Sequence, residues 1–169
     1  MSIISVDINN ECPVIQLFDV SKVFDGRVTA LRDVTLRVDK GELVLLTGPS
    51  GAGKTTMLRT IFAAERPDAG QIVIAGRNIS RLRRGSIPYL RRNIGVVFQD
   101  FKLLHDRTAL QNVAVALEIR GCSRREVRRR SMAALVSVGL EEEAGKRVCQ
   151  LSGGEQQRVA IARAMVNSP

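Results

Sequence analysis

Two textures of apolar and polar positions divide this chain. Up to about residue 100 the apolar positions alternate with polar ones or run in short unbroken blocks, the patterns of half-buried and fully buried strands; from Thr108 onward they recur at helical spacing. Residues 1–13 read as a polar arm that frays and ends at Pro13. The mixed alternation over 14–20 predicts a strand, Val23–Gly26 a strand end and turn, and the alternation over 30–38 a second, antiparallel strand closed by the turn Asp39-Lys40-Gly41. The apolar block Leu43–Thr47 predicts a third strand and Thr56–Phe62 a helix continuing to about Glu65. A turn at Pro67–Gly70, a strand at Gln71–Gly76 and a short helix near Ile87–Leu90 follow. Ile94–Phe98 has the continuous apolar character of a strand covered on both faces, and the polar pair Gln99-Asp100 then falls at the carboxyl end of a parallel strand, where open α/β sheets place ligands. Thr108–Leu117 opens with a capping residue, and Ser123–Glu126 has the capping-box spacing, so a helical subdomain is expected here.

Between the third strand and the first helix lies Gly48-Pro49-Ser50-Gly51-Ala52-Gly53-Lys54-Thr55, a G-x-x-x-x-G-K-T run. Strand, glycine loop and helix in that order suit a triphosphate, whose charged oxygens need many donors at short range. Glycines let successive backbone N–H groups converge without Cβ obstruction, and the helix adds unpaired N–H groups and the positive end of its dipole. Lys54 is the candidate cation for the β and γ phosphates, and the Thr55 hydroxyl the candidate Mg²⁺ ligand. Glycines at 48, 51 and 53 do not fit the dinucleotide fingerprint G-x-G-x-x-G. Phe24, upstream of the loop, is either a core residue or an aromatic able to stack on a base.

Composition narrows the partners. A formal charge of +9 favours anions, whether nucleotide, nucleic acid or an anionic membrane surface. Aromatic content of only 4%, with no Trp, argues against a base-stacking platform for single strands, so nucleic acid is not the expected substrate. Cys12, Cys122 and Cys149 form neither a C-x-x-C pair nor an even disulfide set, and with His105 as the only histidine they make no zinc constellation; reduced thiols are expected. No apolar run reaches membrane-spanning length, and the N-terminus lacks the basic region of a signal peptide, so the chain is expected to stay in the cytoplasm. Arg124/Arg128 and Arg125/Arg129 are like-charged pairs one helical turn apart, expected on a solvated face.

A second glycine motif, Leu151-Ser152-Gly153-Gly154-Glu155-Gln156, opens the helical stretch Gln157–Met165 and again combines glycines with a helix N-terminus. With the phosphate loop, the Gln99 loop and this signature in order, the chain from about Val14 to Pro169 resembles the nucleotide-binding domain of an ABC ATPase. Within that family, 91–108 and 151–164 look most like the bacterial cell-division ATPases, with lipoprotein-release and macrolide-export ATPases as the alternative. The resemblance implies an α/β P-loop NTPase fold in incomplete form. Residues 14–100 would be an antiparallel β subdomain and a partial RecA-like core, 101–152 a helical subdomain, and 153–169 the signature helix.

Carried over by position, the resemblance implies that Phe24 stacks on adenine, where the family usually has Tyr. Residues Gly48 to Thr55, with Thr56, would hold the phosphates and Mg²⁺, and Gln99 would sense the metal and the γ-phosphate. Ser152, Gly153, Gly154 and Glu155 would act in trans on the nucleotide of a second subunit, so that ATP joins a homodimer. Phe101, Leu103 and Leu104 fall where the family receives its membrane partner. That partner would be an integral membrane protein of the FtsX type at the bacterial inner membrane. The family's apolar Walker B strand, its Mg²⁺-associated Asp and the catalytic Glu have no counterpart before Pro169, and His105 lies upstream of the signature, where it cannot serve as the switch histidine. A fragment that binds nucleotide without catalytic turnover is therefore expected, with core strands left unpaired. A non-hydrolysing nucleotide-binding module and a nucleic-acid-associated ABC protein are the competing classes.

Overall fold

In the computed structural model, which describes residues 2–5, 13–26 and 28–169, the alternating segments become two twelve-residue strands, β2 (Pro13–Phe24) and β3 (Val28–Asp39). They pair antiparallel, as the alternation predicts, and β5 (Ala69–Ile74) and β6 (Arg77–Asn78) complete a sheet of order β3-β2-β5-β6. Inward-facing Leu17, Val20, Leu31, Leu36, Ile72 and Ile74 are buried, which is what period-two alternation achieves on a sheet with one dry face. The register slips between Leu17 and Val20, where Asp19 takes a left-handed φ of 49°. The Asp19 amide donates to Thr35 Oγ1 and that hydroxyl donates back to Asp19 Oδ1, so the bulge is closed by side chains.

Three local expectations differ from what the structure shows. Ser2–Ser5, read as part of a polar arm, forms β1 and pairs antiparallel with β4 (Val44–Thr47), giving the phosphate-loop strand a partner on one edge. Residues 6–12, including Cys12, lie outside the described residues; Cys122 and Cys149 are free thiols. Ile94–Phe98 joins no ladder. A strand exists only beside a partner edge, and every ladder among the described residues is antiparallel and formed elsewhere. Gln99-Asp100 accordingly lies in a turn rather than at the end of a parallel strand. The first helix, α1 (Lys54–Ile61), stops short of Glu65: the Phe62 amide closes on the Leu58 carbonyl and Ala63 turns left-handed at φ 54°.

The chain divides into two compact units, Met1–Ile87 and Pro88–Pro169, with the short helix α2 (Ile87–Arg91) at the division. The division falls within the segment 14–100 read from sequence as β subdomain and partial core. In the second unit α3 (Ala109–Glu118), α4 (Arg124–Ser137) and α5 (Gly153–Met165) pack around a dry cluster that includes Val113, Leu117, Leu135, Leu140, Val148 and Val159, all fully buried. Thr108 caps α3 in a reciprocal box with Gln111. Ser123 caps α4 through the Glu126 amide, but the Glu126 carboxylate pairs with Arg130 at 3.0 Å instead of closing the box. Among the described residues no helix is long and apolar enough to cross a membrane.

Candidate functional site

The phosphate-loop segment has the backbone its sequence requires. Gly48, Gly51 and Gly53 have φ of 144°, 79° and 87°, values an L side chain rarely adopts, and a Cβ on Gly53 would fall on the Ala30 carbonyl of β3. Gly53 is the N-cap of α1, left-handed and with no side-chain cap, so among the described residues no capping side chain closes off the first N–H groups of the helix. Lys54 bends back over the loop, and its ammonium donates to the Gly48 and Pro49 carbonyl oxygens, each at 2.7 Å. A cation is thereby stored within the ring of amides.

Residues Ser50 to Thr56 line a cleft of about 340 Å³ together with Phe24 and the start of β3 at Val28–Ala30. Phe24 is thus on the rim of the loop and half-buried, with the Lys22 ammonium 5.4 Å from its ring centroid. The end of β2 that carries it is held by Asp68, whose carboxylate accepts from the Val23 amide at 2.8 Å and pairs with Lys22 at 3.0 Å. The Val23 N–H, followed by Lys22, holds the Asp68 carboxyl below its ordinary range. A triphosphate fits what is present: glycine amides, an open helix N-terminus and one cation. Among the described residues no group of three His, Cys, Asp or Glu could hold a metal, so a magnesium ion at this loop would rest on the Thr55 hydroxyl and on oxygens of the nucleotide and water.

The other predicted residues belong to the second unit. Ser152 is the N-cap of α5, and the signature glycines Gly153 and Gly154 form its first turn, exposed, with open space where a Cβ would project. Ser152 is not free: its amide donates to Glu155 Oε2 at 2.6 Å, its hydroxyl donates to the same oxygen at 2.7 Å, and the Glu155 amide returns to Ser152 Oγ. The Ser152 hydroxyl first and its amide second hold the Glu155 carboxyl below the ordinary glutamate range. Gln99 is exposed in its turn. Of the three apolar residues expected beside it for a partner, Leu103 is only 6% exposed and belongs to the helical core, Phe101 is half-buried, and Leu104 alone is well exposed.

Two residues overlooked in the sequence hold this segment. Asn112, fully buried, accepts from the Leu104 amide at 2.7 Å and donates to the Leu104 and Thr108 carbonyls. The Arg163 guanidinium donates to the Phe101 carbonyl at 2.6 Å and the Lys102 carbonyl at 2.8 Å. A polar residue on the apolar Ala109–Val113–Leu117 face was a legible sign for Asn112. Arg163 has no local sign, because its contacts span more than sixty residues.

The chain belongs to the ABC transporter family, whose profile matches residues 31–169. It is 51% identical to the cell division ATP-binding protein FtsE of Escherichia coli (strain K12) over 156 residues, 92% of this chain and 70% of that protein. The FtsE of Streptococcus pneumoniae serotype 2 is 46% identical over the same length, with 68% of it covered. Among solved structures, the ATP-binding cassette MJ0796, a post-hydrolysis dimer bound to ADP and Pi, matches with a TM-score of 0.81 at 38% identity, covering 92% of this chain and 70% of that one. The expected ABC cassette fold is borne out on these grounds.

Proposed function

We propose that the chain is the ATP-binding part of an FtsE-type subunit in bacterial cell division, peripheral at the cytoplasmic face of the inner membrane and coupled to an FtsX-type integral membrane partner. The observation that carries it is the phosphate loop, where three glycines hold left-handed backbone, the helix is uncapped, and Lys54 is stored on the Gly48 and Pro49 carbonyls. When a triphosphate enters, Lys54 exchanges two neutral carbonyl acceptors for anionic phosphate oxygens, which adds charge–charge attraction to bonds that its own charge already strengthens. The loop amides would take the remaining oxygens, Phe24 would cover the base, and the Thr55 hydroxyl would hold a magnesium ion that offsets phosphate charge, with Gln99 as the proposed sensor of metal and γ-phosphate. Thr56 completes the phosphate contacts.

Ser152, Gly153, Gly154 and Glu155 act on the nucleotide of a second copy, making ATP the joint of a homodimer. Exposed glycines in the first turn of α5 suit that role, since another molecule's phosphates can approach their amides closely. Residues 14–100 serve as β subdomain and partial core, 101–152 as the helical subdomain, and 153–169 as the signature helix. Leu104, with the edge of Phe101, is the apolar contact left for the membrane partner once Leu103 is assigned to the core. Residues 1–169 alone bind nucleotide without catalytic turnover, because they supply no carboxylate pair to position the attacking water, and positioning dominates phosphoryl transfer.

Mg-ATP titration of the chain and of Lys54→Ala tests the phosphate-loop assignment. Loss of two phosphate bonds lowers affinity by about a hundredfold; equal affinities overturn it. Phosphate release under the same conditions separates a binding module from an enzyme, and steady turnover by the 169 residues contradicts the non-catalytic reading. A transporter of the lipoprotein-release or macrolide-export type shares the nucleotide chemistry and differs in the membrane protein that co-purifies.

A further inference from the structure

We infer that Arg163 is a positioning residue for Gln99: it fastens the turn that carries Gln99 to the signature helix α5, so that the γ-phosphate sensor and the signature of one chain move as one piece. Three contacts carry this. Before Gln99, the backbone at Gly95 approaches α5 so closely that a Cβ would meet the Ala164 carbonyl at 2.6 Å. After Gln99, the half-buried Arg163 grips the Phe101 and Lys102 carbonyls with both terminal nitrogens. Phe101 and Lys102 are both left-handed, with φ of 54° and 46°, a conformation that non-glycine residues hold only when their surroundings impose it. Two charge-assisted bonds to successive carbonyls supply that constraint. Beyond them Asn112 pins both backbone groups of Leu104. Gln99 is therefore suspended between two anchors on one turn of α5, at Arg163 and Ala164, while the other end of the same thirteen-residue helix carries Ser152–Glu155. A helix of that length is stiff, so a shift at one end is felt at the other.

The sensor role proposed for Gln99 underlies this inference, and the test separates the two. Affinities for Mg-ATP and Mg-ADP are measured for the chain, Gln99→Ala, Arg163→Ala and Arg163→Lys. Gln99→Ala and Arg163→Ala should each lower the preference for ATP over ADP by about tenfold, the worth of one bond to a charged group, with ADP affinity unchanged. Arg163→Lys, which keeps the charge but not the two-carbonyl grip, should fall between. Hydrogen exchange of 99–104 should speed up in Arg163→Ala while 153–165 keeps its protection. If Gln99→Ala lowers the preference and neither Arg163 variant does, positioning by Arg163 is overturned. If Gln99→Ala leaves the preference intact, the sensor role fails and the inference falls with it. A parallel loss of ATP and ADP affinity, or unchanged exchange over 99–104, marks Arg163 as a merely structural residue and also overturns it. Should Arg163→Ala fail to fold, the lysine variant decides the question by the same readings.

Discussion

The N-termini of α1 and α5 look alike in sequence, each a glycine-bearing stretch running into a helix, and the fold treats them in opposite ways. At α1 the cap is Gly53, left-handed and without a side-chain bond, and the nearest cation leans on loop carbonyls. At α5 the cap is Ser152, closed by Glu155 in a reciprocal box that satisfies the donors itself. The first terminus leaves its amides to a ligand; the second stabilises its own helix and leaves only the glycine backbone uncovered. On the proposed reading, a helix whose own loop holds the phosphates keeps those donors uncapped, whereas a helix that would meet a ligand only in a dimer needs its cap to be stable beforehand.

Four substitutions sharpen that contrast, from the largest effect down. Gly53→Ala forces an alanine into φ 87° and a Cβ onto the Ala30 carbonyl, so stability should fall by on the order of 3 kcal/mol from backbone strain and overlap. Denaturant unfolding reads it, and a loss below the noise would mean that the loop does not pack on β3 as described. Ser152→Ala removes a cap and should cost about 1 kcal/mol in the same measurement. Protection of the α5 amides against hydrogen exchange should drop with it, while those of α1 stay unchanged.

Glu155→Gln isolates the charge in the box. The folded Glu155 carboxyl lies below its ordinary range because the Ser152 hydroxyl and amide favour the ionised form. Its contribution to stability is therefore present above the unfolded-state pKa and disappears as pH falls through the lowered folded-state value. The wild-type chain should exceed Glu155→Gln in unfolding midpoint at neutral pH and lose that advantage in acid. An advantage that grows as the pH drops would reverse the sign and refute the box as the cause.

The smallest effect on stability is expected on the outer face of α4, where Arg124, Arg125, Arg128 and Arg129 are exposed and the readout is binding instead. Arg130, next along the helix, turns inward to Glu126 and the Val166 carbonyl, at 3.0 and 2.7 Å. Four arginines near an anionic leaflet gain about 1 kcal/mol each, so binding to phosphatidylserine vesicles should weaken with salt and with Arg125→Glu. Retention on the vesicles that ignores salt and lipid charge would exclude the anionic surface as a partner.

What could be read without a structure follows the range of the interactions. The phosphate loop, the caps at Thr108, Ser123 and Ser152 and the alternation of β2 and β3 are written in residues a few positions apart, because glycine φ preferences, capping bonds and side-chain alternation act over three or four residues. The apolar character of Ile94–Phe98 was equally legible, but membership of a sheet was not, since it depends on an edge beside it. Burial of Leu103, the inward turn of Arg130 and the pairing of Ser2–Ser5 with Val44–Thr47 were likewise set by distant neighbours. The sequence by itself determined the chemistry on offer, namely a cradle of glycine amides, a lysine and a capped signature helix. Tertiary structure alone decided which donors stay open and which backbone is held: Arg163 reaches the turn after Gln99 only because packing brings α5 against it, and no local preference encodes a contact across sixty residues.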